Sequence, residues 1–269
     1  KMLHDAKPVL LAVTERGWAL AGVACDTALA AYLARPDQRS YDLGDLALRY
    51  LQRELRQDQV DDGQLMLDAF APAGDAERNL MLAARATLDL AAALLVELAH
   101  GGPAEQGSGR LLSEVELPLV GVLAAMERTG IAADTGYLTD LESHFAAEVK
   151  SAATAACAVV GREFNLGSPK QLQEVLFGEL DLPKTKKIKT GFTTDAEALQ
   201  GLFAQTGHPV LAHLLRHRDV AKLRSTVEGL LKSISDDGRI NTTFFQTVAA
   251  TGRLSSTDPN LQNVPIRTE

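Results

Sequence analysis

Aromatic side chains are scarce, at 5% of residues with a single tryptophan, while alanine is abundant. That balance favours helices packed on small side chains. Cysteine is nearly absent: Cys25 and Cys157 lie far apart and fit no metal-ligand spacing, which excludes a disulfide scaffold and suits a reduced cytosolic interior. Long apolar runs are missing too, since stretches such as Leu90 to Val96 fall far short of the ~20 residues that cross a bilayer. No signal peptide opens the chain at Lys1-Met2-Leu3-His4-Asp5. The expectation is a soluble, cytoplasmic protein with no membrane partner. A basic excess is also lacking, and the net charge of −8 argues at first against nucleic acid.

The distribution of charge says otherwise. Residues 1–110 carry 11 basic and 16 acidic side chains, residues 111–160 carry 2 and 7, and residues 161–269 carry 14 and 12. Two basic clusters stand in the last stretch, Lys184-Thr185-Lys186-Lys187-Ile188-Lys189 and Arg216-His217-Arg218 with Lys222 and Arg224. A polyanion could be held there, although solvated surface charge explains the same pattern. Hydrophobic residues make up 46% of 269, enough for a real core in two modest domains or one large one.

Helices are expected over Pro8–Glu15, from a cap at Asp26-Thr27 through Leu33, and over Asp42–Leu51, Asp75–Leu98 and Ser113–Arg128, the last closed by Gly130. Further helices are expected over Thr135–Val160, Pro169–Phe177 behind Ser168, from Thr194-Asp195, and over Pro209–Ile234. Ala19–Cys25 and Ile240–Val248 read as strands, His100–Arg110 as a flexible linker, 183–192 as a basic loop and the last 20 residues as loop-like. His213 and His217 have a metal-friendly i, i+4 spacing, but Leu214 stands where a zinc protease needs glutamate. They read more simply as helix surface. The run Thr251-Gly252-Arg253-Leu254-Ser255-Ser256-Thr257-Asp258-Pro259-Asn260-Leu261-Gln262-Asn263-Val264-Pro265 is dense in hydrogen-bonding side chains. Such groups suit minor-groove acceptors, and they equally suit a loop rich in caps.

That run closely resembles the start of the palm in bacterial family A DNA polymerases. Ala221-Lys222-Leu223-Arg224-Ser225-Thr226 resembles the family's thumb motif, Glu163–Leu172 its thumb tip, and Glu116–Val120 with Glu127–Gly130 the segment entering the thumb. Asp26–Leu33 is similar to part of the preceding ribonuclease H-like 3′–5′ exonuclease domain. The resemblance implies an α+β, mostly helical chain. Residues 1–110 would be the C-terminal part of an exonuclease-like domain plus linker, 111–236 a helical thumb, and 237–269 the first strand of the palm. It implies that Arg253 reaches the minor groove at the primer terminus, with Asn260, Gln262 and Asn263 beside the duplex. Lys222, Arg224, Ser225 and Thr226 would hold phosphates, and Asn165, Ser168 and Thr193 would touch the backbone further out.

The partners implied are primer–template DNA and, through palm and fingers, deoxynucleoside triphosphates, for a monomeric, nucleoid-associated enzyme of repair and replication. Its Mg²⁺ would be held by palm aspartates outside this segment, so the segment itself binds DNA and holds neither metal nor catalytic residue. The exonuclease motifs depart from the family pattern. Val9 stands in place of one metal-binding aspartate, and Met81 and Arg85 replace a tyrosine and another aspartate. Neither an apolar side chain nor a cation ligates Mg²⁺, so this domain is expected to be a proofreading-dead scaffold. Rival readings are a 3′–5′ exonuclease and a non-catalytic DNA-binding module.

Overall fold

A computed structural model of the chain describes residues 1–55, 73–100, 108–189 and 191–264. The architecture is α+β and mostly helical, and the strands that occur among these residues form two-stranded ladders. Two compact units arise, one from Lys1–Gly130 with Asn241–Gln262, the other chiefly from Ile131–Ile240.

The first unit opens with β1 (Met2–Leu3), α1 (Ala6–Glu15), β2 (Cys25–Asp26), α2 (Thr27–Ala34) and α3 (Leu43–Leu51). It continues with α4 (Ala73–His100), α5 (Ser108–Leu111) and α6 (Leu117–Thr129). β1 and β2 pair in parallel, Met2 with Cys25 and Leu3 with Asp26. The expected strand over Ala19–Cys25 is not formed, because only Cys25 and Asp26 find a ladder partner. Asp26 caps α2 as expected, its carboxylate accepting from the Ala28 (2.9 Å) and Leu29 (3.4 Å) amides. Ala86, Leu90, Ala91, Leu94 and Leu98 of α4 are buried in a core shared with Leu29, Ala30, Leu46 and Ala47.

Within α4, Glu77–Ala99 reaches a mean hydropathy of 1.5, long and apolar enough to cross a bilayer by length and composition. Scattered charges interrupt its apolar runs; in the fold 28% of its 18-residue apolar window is buried, with Ala86, Leu90, Ala91, Leu94 and Leu98 packed into the core of the first unit. Of the expected linker, residues 101–107 lie outside the described residues, and Ser108–Arg110 belongs to α5 rather than to a loop. Between α5 and α6 the helix widens into a π turn, Leu112–Glu116, where the Leu117 amide bonds the Leu112 carbonyl five residues back. Pro118 follows and has no N–H to offer a regular helix at this point.

The second unit contains β3 (Ile131–Ala132), α7 (Thr135–Val160), α8 (Pro169–Gln173), β4 (Lys187–Ile188), β5 (Gly191–Phe192), α9 (Ala196–Thr206), α10 (Pro209–Lys232) and β6 (Arg239–Ile240). α7 and α10 pack along one another. α7 starts on Asp134, whose carboxylate caps the Tyr137 amide (2.9 Å), and ends at Gly161 with φ +83°. At the far end Leu172, Leu176, Leu199, Leu202, Leu211 and Leu214 form a small separate core. The expected basic loop holds a hairpin here, Lys187 pairing with Phe192 and Ile188 with Gly191; Thr190 lies outside the described residues.

The expected strand Ile240–Val248 is broken in two. Ile240 pairs with Ile131 in the second unit, whereas β7 (Thr243–Phe245) pairs with β8 (Ser255–Thr257) in the first. The division comes from polar side chains at the break: Asn241 donates to the Glu127 carbonyl (2.7 Å), and the single Thr242 hydroxyl proton is shared between the carbonyls of Thr257 (2.9 Å) and Pro259 (2.8 Å). β8 also shows that the closing segment is not loop throughout; residues 265–269 lie outside the described residues. The compact units change at Gly130 and Ile240, with α6 packed against α1 and β7.

Candidate nucleic-acid interface

In the second unit the basic residues separate into engaged and free. Arg224 bridges the two long helices, bonding Glu142 through Nε (2.8 Å) and Glu228 through Nη2 (3.0 Å). Its guanidinium is held above its ordinary pKa chiefly by the bond to Glu142. Arg216 pairs with Glu148, and half-buried Arg218 donates to the Thr194 carbonyl. His217 is neutral-favouring, since burial and then Arg218 lower its pKa. The second basic cluster is therefore largely spent on structure.

Lys222 differs from these arginines. It is exposed and shares a helix face with Ser225 and Thr226, at i, i+3 and i+4, while Arg224 turns to α7. Lys184, Lys186, Lys187 and Lys189 are likewise exposed around the β4–β5 hairpin. Lys184 lies over the Phe192 ring at 5.5 Å.

Asn165, Ser168 and Thr193 build local turns. The Asn165 carboxamide oxygen accepts from Gly167 (2.8 Å), and Ser168 is the N-cap of α8. Thr193 donates to Asp195 (2.7 Å), the cap of α9. Sequence spacing cannot separate such capping work from a contact to DNA, because both use the same exposed polar atoms.

In the first unit Arg253, Asn260 and Gln262 gather at the β7–β8 hairpin. Arg253 is exposed, with no hydrogen bond or ion pair to another described residue. Gln262 donates to the Leu254 carbonyl (2.6 Å), and the Asn260 carboxamide oxygen accepts from the Gln262 amide (3.0 Å). Asn263 is exposed. Two polar anchors that the sequence did not disclose fix this hairpin.

One anchor is Tyr32 on α2, 3% exposed, whose hydroxyl donates to the Ala249 carbonyl (2.6 Å) and accepts from the Gly252 amide (3.0 Å). The other is a buried ion pair, Lys7 with Glu127, in which Lys7 also bonds the Phe244 carbonyl and Glu127 accepts from the Phe244 amide (2.7 Å). Both backbone groups of Phe244 are thereby satisfied on the side of β7 away from β8. Long-range partners of this kind leave no local sequence signal.

Beside them lies a cleft of about 670 Å³, lined by His4, Asp5, Lys7, Asp26 and Glu127 among others. Burial holds His4 below its ordinary pKa, against the pull of neighbouring carboxylates. Burial, and then Asp26, push Asp5 upward. The Asp26 carboxylate is taken up by backbone: besides capping α2 it accepts from Asp5 (3.1 Å) and Ala6 (2.6 Å). Val9, Met81 and Arg85 do not line the cleft; they are exposed on α1 and α4, and Arg85 pairs with Asp89. Among the described residues no group of His, Cys, Asp and Glu could hold a metal ion.

Residues 135–269 match the family model described as DNA polymerase family A, and residues 1–60 match that of the DNA polymerase I ribonuclease H-like domain. The chain belongs to DNA polymerase family A. More particularly, it is similar throughout its length to proteins called DNA polymerase I. It is 57% identical over 270 residues to that of Mycobacterium bovis (strain ATCC BAA-935 / AF2122/97), covering 100% of this chain and 29% of the relative. It is 38% identical over 271 residues to that of Geobacillus stearothermophilus, covering 100% of this chain and 30% of the relative. The chain thus spans less than a third of these relatives. Among solved structures it is similar to the POL domain of Pol1 from M. smegmatis in complex with DNA primer-template and dNTP. There the TM-score is 0.84 at 56% identity, over 100% of this chain and 43% of that one.

Proposed function

We propose that the chain is the DNA-gripping part of a DNA-directed DNA polymerase that extends primers in repair and replication. In this reading the second unit is the thumb. Residues 111–130 lead into it, residues 237–269 begin the palm, and residues 1–110 are the C-terminal part of a ribonuclease H-like domain without proofreading activity, with its linker. The observation that carries the reading is the exposed Arg253 on a hairpin whose neighbouring backbone is pinned from within the first unit. An exposed guanidinium on a fixed backbone can donate a planar fork to minor-groove acceptors common to all base pairs.

The lysines of the second unit supply sequence-independent attraction to phosphates, which positions a duplex without reading it. The enzyme would act as a monomer in the cytoplasm, associated with the nucleoid. It would take primer–template DNA and deoxynucleoside triphosphates as partners. Its Mg²⁺ would be bound by residues other than those described here, so no step in this chain runs through the metal.

The full-length protein supplied with Mg²⁺ and deoxynucleoside triphosphates should extend a matched primer. On a 3′-mismatched primer it should stall without excising the terminal nucleotide. Failure to extend would overturn the polymerase reading. Excision that is lost in Asp5→Ala would restore the exonuclease alternative.

Phosphate contact should fall on Lys222 more than on Arg224. Lys222→Ala in the full-length protein is expected to weaken duplex binding for every sequence alike. It should lower the slope of log affinity against log salt by about 0.9, the share of one phosphate contact. Arg224→Gln should change that slope little, because its charge is already matched by Glu142 and Glu228. The reverse ranking would mean that the two glutamates release Arg224 to DNA.

A further inference from the structure

Tyr32 belongs to the ribonuclease H-like part of the first unit, yet its hydroxyl is spent on the segment that leads to Arg253. The Gly252 amide bonds the Ala249 carbonyl at 3.1 Å, closing a tight turn. The Tyr32 hydroxyl bonds the same two atoms, donating to Ala249 at 2.6 Å and accepting from Gly252 at 3.0 Å. Donor and acceptor capacities are both used, so the ring position dictates the turn position. The ring in turn is buried and meets Tyr41 edge to face at 5.7 Å. Tyr41 is tied down through its hydroxyl to the Arg35 carbonyl (2.8 Å), just past the end of α2. Gly252 has φ +79°, a conformation that costs a glycine little and other residues more. Arg253 follows directly and is exposed.

We propose that Tyr32 is a positioning residue for Arg253: by gripping the 249–252 turn from the ribonuclease H-like part, it fixes where the guanidinium meets the primer terminus. This rests on the polymerase reading above. It gives the ribonuclease H-like part a use that requires no metal and no nuclease activity. A contact that must test base-pair geometry needs its backbone fixed to a fraction of an ångström, since misplacement of about 1 Å can cost on the order of 10²-fold in rate. A turn held only by its own 3.1 Å hydrogen bond is less constrained than one also held by a packed ring.

The test uses Tyr32→Phe in the full-length protein, which keeps the ring and removes the two bonds. Single-turnover extension of matched primers should fall roughly fivefold, the scale of a net hydrogen bond. Extension from mismatched primers should stay near wild type, so the matched-to-mismatched ratio falls by the same factor. Primer–template affinity should hold. In an Arg253→Ala background, Tyr32→Phe should have no further effect, because the two act through one contact.

Gly252→Ala, which strains the same turn from its own backbone, should reproduce the selective loss and serves if Tyr32→Phe does not fold. A lower melting temperature with an unchanged ratio, or a full effect in the Arg253→Ala background, would show that Tyr32 only stabilises the fold. An Arg253→Ala protein with a normal ratio would instead overturn the polymerase reading of Arg253, and the role of Tyr32 with it.

Discussion

Arg253→Ala in the full-length protein is expected to cut the single-turnover rate on matched primers by roughly 10²-fold, about 2.7 kcal/mol at 25 °C. The side chain is exposed and makes no hydrogen bond or ion pair to another described residue, so the melting temperature should hardly move. A matched pair of either orientation places an acceptor in the minor groove at the same position, while a mismatch displaces it. The rate on mismatched primers should therefore fall much less. Affinity should change little, because the phosphate contacts remain. Severalfold weaker binding with normal single-turnover rates would make Arg253 a backbone contact and remove its role in sensing geometry.

The largest effect on stability is expected at the Lys7–Glu127 pair. Lys7 and Glu127 side chains are 11% and 9% exposed. Burying two charges is compensated only while both remain and their other hydrogen bonds are filled. Glu127→Ala strands the Lys7 ammonium and leaves the Phe244 amide without its acceptor. Removing one partner of such a pair costs about 3–5 kcal/mol, which in a unit of this size lowers the melting temperature by roughly 6–20 °C.

Lys7→Met alone strands the carboxylate, although the Phe244 amide still supports it, and should cost somewhat less. The double variant Lys7→Met with Glu127→Leu should be more stable than the sum of the single losses implies, since no buried charge is left unpaired. Calorimetry of the full-length variants checks this directly. Single variants within about 1 kcal/mol of the parent would mean that the pair is solvated and does not anchor β7.

Local features of the fold were legible in the sequence wherever the signal is local. The caps at Asp26 and Ser168 and the helix end at Gly130 occur as expected. Each depends on one side chain or one glycine within a few residues of the helix it bounds. Two kinds of feature were not legible. Strand pairing was one: Ala19–Cys25 has β-forming residues but only its last position, Cys25, meets a ladder partner. Ile240–Val248 alternates as one strand, yet it is shared between two units. Charge availability was the other, since Arg216, Arg218 and Arg224 are as basic as Lys222 in composition and are occupied in the fold.

The sequence by itself determined that the chain is mostly helical, that its positive charge lies in the second half, and that Thr251–Asn263 is a polar segment with the family's pattern. These follow from periodicity, capping and residue chemistry, which act over a few positions. Only the tertiary structure decided which cations are engaged and that two residues near the start of the chain, Lys7 and Tyr32, bond the backbone around the hairpin bearing Arg253. The physical reason is range. A buried charge or hydroxyl must find its partner somewhere, but nothing local dictates that the partner of Tyr32 is the backbone of Ala249 and Gly252. Packing of α1 and α2 within the first unit makes that choice.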